Sequence, residues 1–208
     1  MQAKFIVVEG IEGAGKSTAI THIKELLTAN NIDYILTREP GGTAVAEDIR
    51  NIIKRKYEGE IIYGETEVLL LYAARLQLVN NVIKPALAAN KWVIADRHDL
   101  STIAYQVGGR GLAQDFITGI KQNILGDFSY DFCLYLDIEP KLGLQRAFNR
   151  SALDRIEQEN ISFFERVRSK YLELAKVDSK IVTIDASKSK QEVKTNVLAA
   201  LKYQYELL

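Results

Sequence analysis

Phe5-Ile6-Val7-Val8-Glu9, running into Gly10-Ile11-Glu12-Gly13-Ala14-Gly15-Lys16-Ser17, is the stretch that decides the fold. Its first five residues are apolar up to the final glutamate and read as a strand covered on both faces. The eight that follow fit G-x-x-x-x-G-K-[ST] in full. A helical pattern over 17–29 comes directly after. Glycines let the backbone close around a phosphate with its N–H groups turned inward. The helix behind contributes its positive N-terminal end. Lys16 offers a cation to the outer phosphates, and Ser17, followed by Thr18, a hydroxyl to Mg²⁺. The plain alternative is a glycine-rich turn carrying a surface lysine. The order strand, loop, helix argues against it. By itself the motif means ATP or GTP and leaves the reaction open.

Outward from the loop, short β-rich runs alternate with longer helical patterns. The strand candidates are 4–9, 33–37, 92–96, 131–137 and 180–185. The helical ones are 17–29, 45–54, 65–90, 114–125, 140 to about 148, 161–177 and 190–205, with Pro85 expected to end or kink the third. Alternation of this kind predicts an α/β fold: five parallel strands with helices on both faces. No repeat or linker interrupts the 208 residues, so one domain is the simplest organisation.

Lys plus Arg equals Asp plus Glu, 27 each. A net charge of zero speaks against broad binding of nucleic acid or an anionic membrane, while leaving room for a local basic cleft. Cys133 is alone and sits in an apolar run, so it reads as a small buried hydrophobe. His22 and His98 are the only histidines, and no metal-ligand cluster stands out. No apolar stretch approaches a membrane span, and the N-terminal run is too short for a signal peptide. A cytoplasmic protein is expected.

The D-x-x-G and N/T-K-x-D segments usual in GTPases do not occur; Asn90-Lys91-Trp92-Val93 lacks the aspartate. Other segments do recur in a meaningful order. They are Arg38-Glu39-Pro40-Gly41-Gly42, Tyr72-Ala73-Ala74-Arg75, Asp96-Arg97-His98-Asp99-Leu100-Ser101-Thr102, Ala104-Tyr105-Gln106 and Leu153-Asp154-Arg155-Ile156-Glu157. Joined to the phosphate loop, they resemble bacterial thymidylate kinases over nearly the whole chain. The resemblance implies a P-loop NTPase fold with a short lid at about 146–158 and transfer of a phosphoryl group from ATP to dTMP. It also implies Mg²⁺ and a homodimer, for which the apolar stretch 68–74 is either interface or core.

The implied site follows residue by residue. ATP lies on the loop, with its adenine near Arg146 and Asp185-Ala186-Ser187. Asp96 holds Mg²⁺ together with Ser17, and Arg97 grips the acceptor phosphate; the alternative is a surface ion pair at a strand end, against which stands their place at the carboxyl end of a parallel strand. Arg50 faces the same phosphate, and Glu39 borders the substrate. Arg75 reads the thymine edge, although a lone arginine in a long helix usually faces water. Ser101, Thr102, Tyr105 and Gln106 form the base and sugar pocket, and Tyr105 excludes a ribose 2′-OH. Glu12 turns from the donor phosphates toward the acceptor sugar, or else is a solvated loop carboxylate. The loop carries no arginine, so the resemblance puts the catalytic cation in the lid at Arg150 or Arg155; the bland alternative is a solvated basic helix end. One departure stands out: Leu71 occupies the position where the family generally stacks a phenylalanine on thymine. Two other readings share the loop, a kinase for a different nucleotide and a nucleotide sensor without turnover. Lys16, Ser17 and Asp96 argue against the sensor, and the 101–106 pocket argues for thymine.

Overall fold

The computed structural model describes residues 2–148 and 154–207. Five strands, β1 (Phe5–Glu9), β2 (Tyr34–Arg38), β3 (Trp92–Asp96), β4 (Phe132–Asp137) and β5 (Ile181–Asp185), form one sheet in the order β2-β3-β1-β4-β5. Every pairing is parallel. All five residues of β1 are buried, as a central strand with helices over both faces requires. The core gathers on this sheet, with Trp92 and Phe132 fully buried against Tyr205 near the C-terminus. Each such aromatic contributes about 1.5–3 kcal/mol of apolar burial.

The helices are α1 (Lys16–Ala29), α2 (Ala44–Lys54), α3 (Gly64–Leu78), α4 (Lys84–Ala88), α5 (Asp99–Thr102), α6 (Gln114–Leu125), α7 (Pro140–Phe148), α8 (Ile161–Val177) and α9 (Lys190–Tyr205). Local chemistry starts several of them. Thr43 accepts from the Ala46 N–H, Asn160 from the Phe163 N–H, and Ser189 with Glu192 makes a reciprocal capping box.

Two helical features stand out. Pro85, expected to end or kink its helix, does not end it. A π-helical turn over Val79–Ile83 takes up an extra residue just before it, and the chain stays helical to Ala88. The second feature is α5 and the wide π-helical segment Ile103–Gly109 that continues it, where no helix was expected. Gly108 and Gly109 suggest a turn in the sequence. In the fold they are contact points with α8: a Cβ on Gly109 would lie 2.5 Å from Phe163, and one on Gly108 2.9 Å from the Arg166 carbonyl.

Candidate active site

A cleft of about 460 Å³ opens at the carboxyl ends of β1 and β3, where open parallel sheets bind ligands. Its floor is the phosphate loop. Lys16 Nζ is held by the carbonyls of Gly10 and Ile11 at 3.0 and 3.1 Å, while Gly15 precedes α1 in a left-handed conformation. Gly13 is required by a neighbour as well as by its φ of 73°: a Cβ there would sit 1.9 Å from the carbonyl oxygen of Gly143 in α7. Ile11 and Ala14 are buried beneath the loop; Glu12, Ser17 and Thr18 line the cleft. Burial, the largest influence, pulls the Lys16 ammonium down to about 8, and Arg97 adds to it; Asp96, Glu12 and Glu9 pull the other way.

Arg97 faces the loop from the end of β3. Its φ is 70°, uncommon for a side chain of this size and held by the contacts it makes. Nη2 donates to Glu12 Oε1 at 2.6 Å and to the Tyr105 hydroxyl at 3.1 Å; Nη1 donates to the Ser101 hydroxyl at 3.1 Å. Tyr105 in turn donates to Glu12 Oε2 at 2.7 Å. Burial raises the Glu12 carboxyl, but Arg97, Lys16 and Tyr105 outweigh it, and the group ends below its ordinary value. Glu12 is thus turned to the Arg97 side of the cleft and is no solvated loop residue. Asp96 lines the cleft beside them, and its Oδ1 is buried without a partner.

Beneath Arg97 lies Glu9, a residue the sequence marked only as the end of a strand. Its carboxylate accepts from the backbone N–H of His98 (2.8 Å) and Ser101 (3.2 Å), and from the hydroxyls of Ser101 (2.6 Å) and Tyr171 (2.8 Å). From β1 it therefore accepts the N–H groups of the N-cap His98 and of the third α5 residue, Ser101. Burial raises its carboxyl above the ordinary range against these four partners and Arg97. Ser101 was expected to meet the base or sugar. Its hydroxyl donates to Glu9 and accepts from Arg97, and the residue also lines the cleft.

The far wall belongs to α3. Glu67, Leu71 and Arg75 are spaced four apart, share one helix face and all line the cleft. Arg75 is buried, not solvated. Nε donates to Glu39 at 2.7 Å, Nη2 to Thr102 at 2.9 Å and to the His98 carbonyl at 3.3 Å, while Nη1 has no hydrogen-bond partner. Glu39 also meets His98 Nδ1 at 2.7 Å, so both its oxygens are engaged. Asp99 supports the group, 3.6 Å from Arg75 Nη1 and bonded to Tyr72 and Lys121. Gln106 donates to Glu67 at 2.6 Å and keeps its Oε1 buried and unpaired.

Arg50 donates to the Pro40 carbonyl at 2.8 Å and lines the cleft, as does Arg38, a cation that entered the reading only inside its segment. Arg146 donates to the Ala186 carbonyl at 3.0 Å, which brings together the two segments expected around adenine. Arg150 lies outside the described residues. Arg155 is placed differently from a phosphate-facing lid cation. It donates to the Ile53 carbonyl at 2.8 Å and to Glu67, and it does not line the cleft. The buried Glu67 carboxylate draws it inward. Glu67 and Tyr171 carried no signal in the sequence, and His98 and Asp99 entered only as members of the segment 96–102 with no role assigned, because each acts through partners far along the chain.

The model of one protein family, thymidylate kinase, matches residues 8–197. The chain belongs to the thymidylate kinase family. Two thymidylate kinases of Vibrio vulnificus, from strains YJ016 and CMCP6, are each 54% identical to it over 208 residues, covering 100% of this chain and 98% of theirs. As a member, the chain is a nucleoside monophosphate kinase: a phosphotransferase that acts on a small nucleotide. No helix among the described residues is long and apolar enough to cross a membrane.

Proposed function

We propose that the cleft moves the γ-phosphoryl group of ATP in line onto a phosphate oxygen of dTMP, with no covalent enzyme intermediate. The observation that carries the choice of base is a pair of buried atoms without hydrogen-bond partners: Arg75 Nη1, a donor with the Asp99 carboxylate 3.6 Å away, and Gln106 Oε1, an acceptor. The O4 and N3–H of thymine answer that pattern, whereas cytosine reverses both. Leu71 offers the base an apolar face. Tyr105 is fixed by Glu12 and Arg97, a rigid wall suited to excluding a 2′-OH.

The donor phosphates rest on residues 10–18, and the acceptor phosphate meets Arg97 and Arg50. The unpaired Asp96 Oδ1 and the Ser17 hydroxyl fit Mg²⁺, which when bound draws charge off the donor phosphates. No general base is required, because a monophosphate oxygen is anionic near neutral pH. Lys16, Arg97 and a lid arginine offset the charge that builds up between the two polyanions. A coupled ADP-release assay over dTMP, dUMP, UMP, dCMP and dGMP tests the reading. Highest kcat/KM for dTMP supports it; turnover led by dCMP or dGMP would overturn it.

A homodimer is part of the proposal. Leu69, Ala73 and Leu76 make an exposed apolar stripe on α3, with Leu69 55% exposed, on the side away from the buried Val68, Tyr72 and Arg75. The stretch 68–74 is therefore core on one side and a free apolar surface on the other.

A further inference from the structure

Gln106 can read a base in either of two ways, because its amide can present oxygen or nitrogen to the cleft. What faces its other end decides which. That neighbour is Glu67, 1% exposed, on the same helix face as Leu71 and Arg75. A carboxylate accepts and cannot donate, so the amide nitrogen must turn to it and the oxygen to the cleft. Glu67 Oε1 takes Gln106 Nε2 at 2.6 Å. The remaining donors around Glu67 are all guanidinium groups. Arg110 reaches Oε1 from Nε at 3.4 Å and Nη2 at 3.5 Å, and Oε2 from Nη2 at 3.1 Å; Arg155 donates to Oε2. None of these offers an acceptor to which the Gln106 nitrogen could turn instead.

We propose that Glu67 is the positioning residue that fixes the Gln106 amide with its oxygen toward the base, and so selects keto pyrimidines over amino pyrimidines. The proposal rests on the base reading given above. To meet the bare N3 of cytosine, the amide has to flip, which brings its oxygen against the Glu67 carboxylate. Without the flip, two acceptors face each other in a dry pocket. Either way the wrong base leaves a buried polar group unmatched, a penalty that specificity devices commonly use.

Glu67→Gln is the decisive variant, because a carboxamide can face Gln106 with either end. Preference for dTMP over dCMP in kcat/KM is expected to fall on the order of tenfold, the size of one mismatched buried hydrogen bond. The change should come mainly through a higher KM for dTMP, with kcat altered less. Preference for dTMP over dUMP should hold, since both bases carry N3–H and O4. General loosening of the site would move both ratios, and that result overturns the proposal. So does an unchanged dCMP discrimination. Glu67→Gln leaves two guanidinium groups short of a charge, so Glu67→Gln with Arg110→Met is measured alongside; the same selectivity pattern is expected from it. Arg110→Gln alone keeps the carboxylate against Gln106 and should keep discrimination against dCMP. Gln106→Ala separates this inference from the base reading. If that variant keeps full discrimination, both fall; if it loses discrimination while Glu67→Gln retains it, only the role of Glu67 falls.

Discussion

Lys16 holds its proton less firmly than a lysine in water, and the consequence can be measured. Burial and Arg97 bring its folded value to about 8. A bound polyphosphate keeps the proton in place, so binding above that pH must restore it. ATP affinity is expected to be level between about pH 7 and 8 and then to fall, by at most tenfold per pH unit, with proton uptake on binding. Calorimetry in buffers of different ionisation enthalpy reads both; constant affinity to pH 9.5 without proton uptake contradicts the assignment. Arg75 makes a second case. Its planar fork spans Glu39, Thr102 and the His98 carbonyl while Nη1, the atom proposed to meet the base, makes no hydrogen bond. An ammonium cannot span those partners. Arg75→Lys should raise KM for dTMP roughly 10- to 100-fold, for loss of about 1.5–3 kcal/mol of charge-assisted bonding, and change kcat less. An unaltered KM would show that Arg75 only holds the fold.

At the scale of elements, the phosphate loop and α7 are locked by two facing glycines. A Cβ on Gly143 would lie 2.7 Å from the Glu12 carbonyl, and backbone cannot swing aside as a flexible side chain can. Gly143→Ala should lower Tm by the equivalent of about 1–3 kcal/mol and reduce kcat through a displaced loop. Full activity at unchanged Tm would mean that the loop tolerates the shift. The start of α8 and the stem before it give another expectation. Arg155 is bound to Ile53 and Glu67, so Arg155→Ala should cost stability, by about 1–3 kcal/mol, more than turnover. Arg150→Ala should instead lower kcat on the order of a hundredfold. Steady-state kinetics and thermal melts on both variants decide it; the reverse pattern returns the catalytic part to Arg155. These elements also mark what could be read in advance. The phosphate loop is eight consecutive residues between a strand and a helix, and its chemistry is local. The inner strands β1, β3 and β4 showed as apolar runs, because parallel strands inside a sheet are buried on both faces. Glu9 meets Tyr171 across 162 residues and Glu67 meets Arg155 across 88, so no window of sequence reveals either contact. The helical stretch from Asp99 to Gly109 stayed hidden because its glycines, placed for contact with α8, resemble turn residues.

For the whole molecule, the apolar stripe on α3 predicts self-association. Leu69→Glu should shift sedimentation equilibrium from dimer toward monomer while each chain stays folded; a monomeric parent protein would remove the proposal. Leu69 and Leu71 leave the helix in different directions, one to the surface and one to the cleft, so the proposed pairing face and the proposed base contact belong to one helix. The sheet itself sets a further dimension. β1 and β3 lie side by side, with Val8 opposite Asp96; the phosphate loop leaves the end of one and Arg97 the end of the other. Neighbouring strands stand about 4.8 Å apart. The backbone ladder therefore holds the roots of the phosphate loop and of Arg97 one strand spacing apart, whatever side chains the two strands carry.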